Sequence, residues 1–235
     1  MIKTTYHNHR DPKGRFKKTP FKFVEPPPPP PLTLNTIPLT KYLMSGNHKV
    51  PSTTAIFNMG PASTCPSEKL GFCQAMIDGK SICYALKAEG PHRPGVLPYR
   101  RRQESFWKRT TAENFAFQFM LLNSIKKTPY TALRFSEAGD FWSQECVDKA
   151  EKIASILAAH RIIMYCYTAR RDLDFSKVKH LVISGSGFKK EGIANEFKMV
   201  EKVENRPKGY GICFGDCRIC NRCLYRGKNT VVVKH

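Results

Sequence analysis

The sequence predicts an α/β fold, a parallel incomplete β/α barrel or an open sheet, over residues 32–205. First, short runs of β-branched and apolar residues alternate with segments of helical periodicity, which is typical of parallel strands joined by helices. Second, the chain has 235 residues and is 41% hydrophobic, so it can bury a sizeable core. A cysteine-rich segment, residues 206–235, follows this body. A basic arm that we predict to be disordered precedes it.

The arm comprises residues 1–25 and has no regular hydrophobic period. Residues 1–24 carry seven lysines and arginines and one acidic residue, with phenylalanines between them. Basic residues interleaved with aromatic rings are typical of a nucleic-acid contact, and a tail that binds nothing is the alternative. Six consecutive prolines, Pro26–Pro31, predict a polyproline II spacer between arm and body. Docking of this segment on an aromatic groove of a protein partner is the alternative.

The formal net charge of +20 indicates an anionic partner, most simply nucleic acid, either DNA or RNA. A solubility feature is the alternative. The basic stretch His92–Arg109 is interpreted as a phosphate-facing strip or as a solvated helix flank. No signal peptide opens the chain, and no apolar run is long enough for a membrane span. We therefore expect a reducing, cytoplasmic location without a membrane partner, and the oligomeric state is left open.

Five strands and two helices are predicted. The first helix begins with Thr110-x-x-Glu113, a capping box, and its apolar residues cover most of its circumference, so we expect it to be buried. The second helix begins after Ser143, an N-cap residue. The helices are predicted to end near Lys126 and His160, and the predicted strands are Thr53–Met59, Tyr130–Ser136, Arg161–Thr168, His180–Ser184 and Thr230–Val233.

Parallel β/α folds carry their working residues at the carboxyl ends of the strands. Polar residues follow three of the predicted strands, and we expect them on one face of the body, together with the loop Cys65–Cys83. The predicted catalytic residues are Glu137, Asp140 and Arg170, and the predicted cofactor-binding residues are Glu137, Asp140, Ser184 and Ser186.

Four cysteines fall within eleven residues near the C-terminus, with spacings x3, x2 and x2. Thiolates this close can bind one zinc ion or one iron–sulfur cluster. Disulfides are disfavoured because loops of two or three residues rarely allow relaxed bridge geometry. The predicted ligands of this closed metal site are Cys213, Cys217, Cys220 and Cys223.

The long loop after the first strand carries Cys65, Cys73 and Cys83, with spacings x7 and x9. Three ligands on a loop leave one metal position open for chemistry, and buried structural cysteines are the alternative. The remaining Cys146 and Cys166 are predicted to be packed thiols. The spacing does not decide whether the seven predicted ligands serve one site or two.

Several short motifs together resemble the phage gene product 88 family over about residues 50–235. The resemblance assigns no activity by itself, and it implies a phage protein in the host cytoplasm. The motifs are Ala55-Ile-Phe-Asn58, Thr64-Cys65-Pro66, Cys83-Tyr84-Ala85, Arg134-Phe135, Gly139-Asp140-Phe141, Tyr167-Thr168 and Gly215-Asp216-Cys217.

More loosely, a cysteine loop after the first strand of a parallel β/α body resembles radical S-adenosylmethionine enzymes. Those enzymes usually show Cys-x3-Cys-x2-Cys in this loop, whereas the spacings here are x7 and x9. The resemblance implies a 4Fe–4S cluster at Cys65, Cys73 and Cys83, with S-adenosylmethionine at the open iron. It also implies that Glu137 or Asp140 holds the ammonium group of that cofactor, and that Cys213–Cys223 holds a second, closed cluster.

Three functions are compatible with these features. The first is an iron–sulfur enzyme of the radical type that acts on nucleic acid or on a nucleic-acid-associated target. The second is a non-catalytic nucleic-acid-binding protein with structural iron–sulfur or zinc sites. The third is a cluster-bearing nuclease or a modifier of host machinery. Visible absorption distinguishes iron–sulfur clusters from zinc, and anaerobic cleavage of S-adenosylmethionine distinguishes the enzyme from the binder.

Overall fold

The computed structural model describes residues 6–10, 16–20, 37–73, 76–77 and 80–233, and the chain divides into two compact units, residues 1–32 and 33–235. In the first unit, strands β1 (Tyr6–Arg10) and β2 (Phe16–Pro20) pair antiparallel, with Tyr6 opposite Pro20. This pairing was not predicted, because residues 1–24 show no regular alternation of apolar and polar side chains. The predicted spacer Pro26–Pro31 lies outside the described residues.

An open sheet of eight strands forms the centre of the second unit. Its strands are β3 (Met44–Ser45), β4 (Thr54–Phe57), β7 (Ala132–Phe135), β8 (Ile163–Thr168), β9 (Val182–Ser186), β10 (Asn195–Val200), β11 (Gly211–Ile212) and β12 (Thr230–Val233), and a separate hairpin contains β5 (Met76–Ile77) and β6 (Lys80–Ser81). The strand order is β11-β12-β10-β9-β8-β7-β4-β3, and every neighbouring pair is parallel except β3 with β4. The prediction of a parallel α/β fold is confirmed in its open-sheet form, since the sheet does not close into a barrel.

Within the described residues, five α-helices accompany this sheet: α1 (Pro66–Lys69), α2 (Tyr84–Lys87), α3 (Val96–Arg109), α4 (Ala112–Ile125) and α5 (Gln144–Ala159). Short 3₁₀ helices span Pro38–Tyr42, Ala62–Thr64, Val203–Asn205 and Arg222–Leu224. The described helices are all too short or too polar to cross a membrane. Helices α4 and α5 confirm the two predicted helices. The predicted capping box is wrong by one residue, because the Oγ1 of Thr111, not of Thr110, accepts a hydrogen bond from the Asn114 N–H at 3.1 Å.

One face of the sheet packs against α3, α4 and α5. Phe57, Phe135, Cys166 and Ile183 lie opposite one another in a row across four neighbouring strands, and all four are fully buried. Phe57 stacks on Phe135 with ring centroids 5.8 Å apart and meets Phe115 of α4 edge-on at 5.0 Å. Because each buried aromatic ring removes a large apolar area from water, this layer dominates the core. Phe117, on the outer side of α4, is 65% exposed, so the expectation that α4 is buried almost all round is wrong.

The opposite face of the sheet carries different side chains and a different cover. Its central row is Arg134, Tyr165 and Val182. Each of these residues directly precedes a residue of the apolar row in sequence, so its side chain lies on the opposite face of the sheet. Cys223 and Leu224 of the cysteine-rich segment pack against this face, beside Tyr165 and Val182. Helices therefore cover one face of the sheet, and the cysteine-rich segment lies on the other.

The connections between the parallel strands are only partly helical. The step from β7 to β8 uses α5, but residues 169–181 between β8 and β9 contain no helix, so the third expected strand–helix–strand step is wrong. The next connection contains Gly192 at a φ of 78°, where an added Cβ would lie 1.6 Å from the carbonyl oxygen of Phe175. Only glycine fits at that position, because a side chain would collide with the carbonyl of Phe175. The connections before and after β9 therefore pack directly against each other, with no helix between them.

Glu151 of α5 fixes the start of β9. Its carboxylate accepts hydrogen bonds from the backbone N–H groups of Lys179, His180 and Leu181 at 2.9–3.2 Å and contacts the His180 Nδ1 at 2.8 Å. Partial burial alone would raise the pKa of Glu151, but the N–H groups of Leu181 and Lys179, with His180, hold it below its usual value. The charged carboxylate therefore stabilises the folded chain.

We predict that Glu151→Gln lowers the free energy of unfolding by about 2 kcal/mol near neutral pH, because a charged acceptor of several hydrogen bonds is lost. Since folding lowers the pKa of Glu151, this stabilisation is present above the unfolded pKa and is lost as the pH falls through the folded pKa. Urea unfolding at neutral pH and at about pH 3 measures the difference. The exposed Glu204, changed to Gln, serves as the control. A difference between wild type and Glu151→Gln that does not shrink in acid would contradict the prediction.

Candidate functional site

The four C-terminal cysteines share one cavity on the sheet face that lacks helices. The cavity has a volume of about 50 Å³. Its floor is formed by strand residues, among them Thr54, Tyr165 and Tyr167, and its wall is the cysteine-rich segment. All four predicted ligands line it: Cys213, Cys217, Cys220 and Cys223. The tertiary fold thus keeps together thiols that the sequence spacing had only suggested to be near one another.

Backbone hydrogen bonds hold this segment against the sheet. The N–H of Cys213 donates to the carbonyl of Val231 on β12 at 2.7 Å, and the N–H of Cys217 donates to the carbonyl of Lys49 at 2.7 Å. Asp216 and Arg218 form a bidentate pair, with N···O distances of 2.8 and 2.6 Å. The cysteine-rich segment is therefore held by β12 on one side and by the turn between β3 and β4 on the other.

The electrostatics of this cavity show that the thiols interact. Burial raises the pKa of Cys223 to about 11, and nearby Cys213, Cys217 and Cys220 add to the shift, whereas a hydrogen bond from the Tyr167 hydroxyl opposes it. Burial likewise raises the pKa of Cys217, and the guanidinium of Arg134 opposes that shift. A metal that binds here must therefore displace the protons of Cys217 and Cys223, whose pKa values are raised.

The three other predicted ligands lie in the loop after β4. Burial raises the pKa of Cys65 to about 12, with Asp140 and Cys73 as smaller causes. The pKa of Cys73 is raised by partial burial, then by Cys83 and Asp140. Cys83 caps α2, where its Sγ accepts a hydrogen bond from the Leu86 N–H at 3.4 Å. These mutual interactions place Cys65, Cys73 and Cys83 in one neighbourhood beside Asp140.

Asp140 connects this cysteine loop to two strands. Its carboxylate accepts hydrogen bonds from the Ser67 hydroxyl at 2.5 Å, the Thr168 hydroxyl at 2.7 Å and the backbone N–H groups of Ala169 and Phe141 at 2.8 Å. The residue is 5% exposed, and burial raises its pKa although all four donors oppose the shift. With both oxygens engaged by protein donors, Asp140 has the geometry of a structural anchor for Cys65 and α1.

Glu137 lies beside this anchor in a looser network. Its Oε1 accepts a hydrogen bond from Asn47 at 2.5 Å and lies 3.5 Å from the Arg134 Nη1. Its backbone N–H donates at 2.7 Å to the Oδ1 of buried Asn58, and its carbonyl accepts from the Tyr84 hydroxyl at 3.0 Å. Glu137 therefore lies at the cysteine-loop end of the sheet face that also carries Arg134.

The remaining predicted site residues have mainly structural surroundings. Arg170 is buried, holds Asp172 through two hydrogen bonds at 2.7–2.8 Å and donates to the carbonyl of Phe141. Ser184 is buried within β9, and Ser186 is the last residue of that strand, two strands from β7. Their positions suit support of the strand ends better than contact with a substrate.

Sequence reasoning missed the polar row on the cavity face. Arg134 interrupts an otherwise apolar strand, and its buried Nε has no hydrogen-bond partner among the described residues. Tyr165 and Tyr167 alternate with the core residues Met164 and Cys166 along β8. A period-two pattern with polar or aromatic residues on the second face was the available signal. The predictions for Cys146 and Cys166 are confirmed, since both thiols are buried.

No three His, Cys, Asp or Glu side chains within the described residues converge closely enough to hold a metal ion as they stand. The two cysteine sets are gathered, but binding of a metal would have to draw their sulfurs further inward. Whether either set holds a metal is therefore a matter for proposal and experiment.

We predict that Asp140→Asn destabilises the protein by about 3 kcal/mol. The amide nitrogen of asparagine would replace a carboxylate oxygen that accepts hydrogen bonds from buried N–H or hydroxyl groups, and those donors would be left without an acceptor. Ser67→Ala removes only the donor that belongs to the cysteine loop, and should cost about 1 kcal/mol. Thermal unfolding of both variants measures the difference. Equal melting temperatures for wild type and Asp140→Asn would show that the carboxylate does not anchor the loop.

Comparison with known proteins gives one clear relationship. Residues 32–228 match the sequence profile of the family described as gene product 88. No curated protein and no solved structure gives a significant match, so the looser resemblance to radical S-adenosylmethionine enzymes is not supported. The family match spans seven of the eight strands of the sheet, both cysteine sets and Asp140, and leaves out β12 and the N-terminal arm. By this match over most of its length, the chain belongs to the phage gene product 88 family.

Proposed function

We propose that this protein binds nucleic acid and carries two separate metal centres, one in each cysteine set, of which the C-terminal one is structural. The observation that carries the proposal is the cavity of about 50 Å³ lined by all four C-terminal cysteines. Four thiolates complete the coordination of a zinc ion or an iron–sulfur cluster, so nothing need bind there from solution. The position of this site, as the cover of one sheet face, suits a structural role.

The second centre is proposed at Cys65, Cys73 and Cys83. The interactions among these thiols, and with Asp140, support a common site at the carboxyl ends of β4 and β7. Each cysteine set interacts within itself, and the two sets belong to different parts of the chain, the loop after β4 and the segment between β11 and β12, which supports two centres rather than one. Three thiolates would leave one coordination position open, and a metal there would supply Lewis-acid or electron-transfer chemistry.

Nucleic-acid binding is supported by charge. The chain has 39 lysines and arginines against 19 acidic residues, and Arg101 and Arg102 on α3 are exposed. Arg100, in contrast, is buried and paired with Glu89 at 2.7 Å, so only part of the basic stretch is available to phosphate. A protein of this charge in an intracellular setting binds polyanions through counterion release.

A second candidate function is radical chemistry on S-adenosylmethionine at the three-cysteine centre. The observation that favours it is the location of Cys65, Cys73 and Cys83 at the strand ends, next to Glu137. Anaerobic incubation of the reduced protein with S-adenosylmethionine, with detection of the cleavage products, tests it. Absence of cleavage by a protein that retains its full iron content would reject this candidate and leave the first proposal unaffected.

We predict that anaerobically purified protein contains metal and that the two sets lose it separately. Cys217→Ser should lose the structural metal and melt at a lower temperature, because a closed site contributes folding free energy. Cys73→Ser should stay folded and lose only the second metal, since Cys73 is exposed on its loop. Iron, sulfide and zinc analysis with a melting curve on each variant is the measurement.

Cys146→Ala is the matched control, because this buried thiol belongs to neither set and should keep the full metal content. If Cys73→Ser unfolds while Cys217→Ser keeps its fold, the roles of the two sets are reversed. If each variant loses all metal at once, the seven cysteines serve a single site.

We predict that deletion of residues 1–24 weakens nucleic-acid binding and flattens its dependence on salt. Seven basic side chains leave with this segment, and each phosphate contact contributes about 0.7–0.9 to the slope of log K against log salt concentration. Titration of a labelled oligonucleotide at several salt concentrations gives both slopes. An unchanged slope would show that these residues do not contact phosphate.

A further inference from the structure

Two large apolar side chains are exposed on the cysteine-rich segment. Phe214 lies between Cys213 and Cys217 and is 74% exposed, and Ile219 lies between Cys217 and Cys220 and is 80% exposed. Among the exposed large hydrophobic residues of the described chain, these two have the highest exposure. Neither side chain belongs to the core clusters of the sheet, so both are available to contact a ligand.

The backbone beneath these side chains is held in place. Hydrogen bonds from Cys213 and Cys217 tie it to Val231 and Lys49, and the pair between Asp216 and Arg218 closes the turn between them. A surface that is already ordered binds a ligand with a smaller entropic cost than a mobile loop does. The exposed side chains are thus presented on a fixed turn.

The surroundings of this turn are strongly basic. Residues 202–228 include seven lysines and arginines and two acidic residues, one of which, Asp216, is engaged by Arg218. Lys49, whose carbonyl accepts the hydrogen bond from Cys217, is exposed beside it. Further exposed basic residues in this part of the sequence are Lys202, Arg206, Lys208 and Lys228, whereas the guanidinium of Arg226 donates to the carbonyls of Lys179 and Leu181.

We propose that Phe214 and Ile219 form a stacking surface for the bases of single-stranded nucleic acid, and that the surrounding basic side chains contact its phosphates. This inference rests on the proposed nucleic-acid binding and specifies where and in what form the ligand is bound. Unpaired bases expose the π-faces that an aromatic ring can cover, and a nearby cation neutralises the phosphate. Two other ligands fit this surface less well. A protein partner would need an acidic surface of matching shape. A nucleic-acid duplex keeps its bases stacked inside the helix, where an aromatic side chain cannot cover them.

The test is fluorescence anisotropy of the full-length protein with a labelled single-stranded oligothymidylate and with a duplex of equal length. Phe214→Ala should weaken binding of the single strand about tenfold, because one base loses its stacking partner. The salt dependence should stay unchanged, since no charge is removed. Phe214→Trp should restore binding. The matched control is Phe117→Ala, which removes an aromatic ring of similar exposure from α4 and should bind like wild type.

Each outcome decides the inference. If wild type binds the single strand and Phe214→Ala binds equally well, the stacking surface is rejected and nucleic-acid binding stands. An equal loss for the duplex, or an equal loss in Phe117→Ala, also rejects it. If wild type binds neither oligonucleotide, the proposed nucleic-acid function itself fails, and docking of a protein on this surface takes its place. Metal content measured on Phe214→Ala shows that the neighbouring cysteines are intact.

Discussion

The buried carboxylate of Asp140 is the constraint on which the cysteine-loop end of the sheet depends. It receives four hydrogen bonds from three separate parts of the chain: α1, the turn after β7 and the end of β8. A carboxylate in an apolar setting is costly unless all its acceptor positions are used. Here they are used by groups that lie far apart in sequence, so the carboxylate can be accommodated only when the loop and both strands are in place. The cysteine loop acquires its position from this requirement.

The second consequence of the architecture is the unequal cover of the sheet. Helices α3, α4 and α5 pack on one face, and they leave Arg134, Tyr165 and Val182 on the other. The cysteine-rich segment supplies the missing cover through Cys223 and Leu224. Because Cys223 packs against this face, the metal binding proposed for the four cysteines would couple the stability of the sheet to that metal. Metal coordination is the chemistry that four neighbouring thiols can offer.

The residues expected to act on a substrate have mostly structural environments. Arg170 and Asp140 are saturated by protein partners, and Ser184 is enclosed in the sheet. The residues that remain available for chemistry or binding are therefore mainly the cysteines and the exposed side chains around them. The nucleic-acid binding proposed above rests on the basic charge of the chain and the exposure of Phe214, and on no arrangement of general acids and bases.

The sequence by itself determined the parallel strands β4, β7, β8 and β9, the helices α4 and α5, and the two cysteine groups, because local periodicity and spacing encode these features. It also placed Cys146 and Cys166 in the core. Only the tertiary structure decided that the sheet stays open, that Asp140 is an anchor and that the four C-terminal thiols lie against Tyr165 and Tyr167. Strand order, burial and hydrogen-bond partners depend on contacts between residues distant in sequence, and no local pattern records them. For that reason a carboxylate at a strand end looks the same in sequence whether it holds a ligand or holds the fold together.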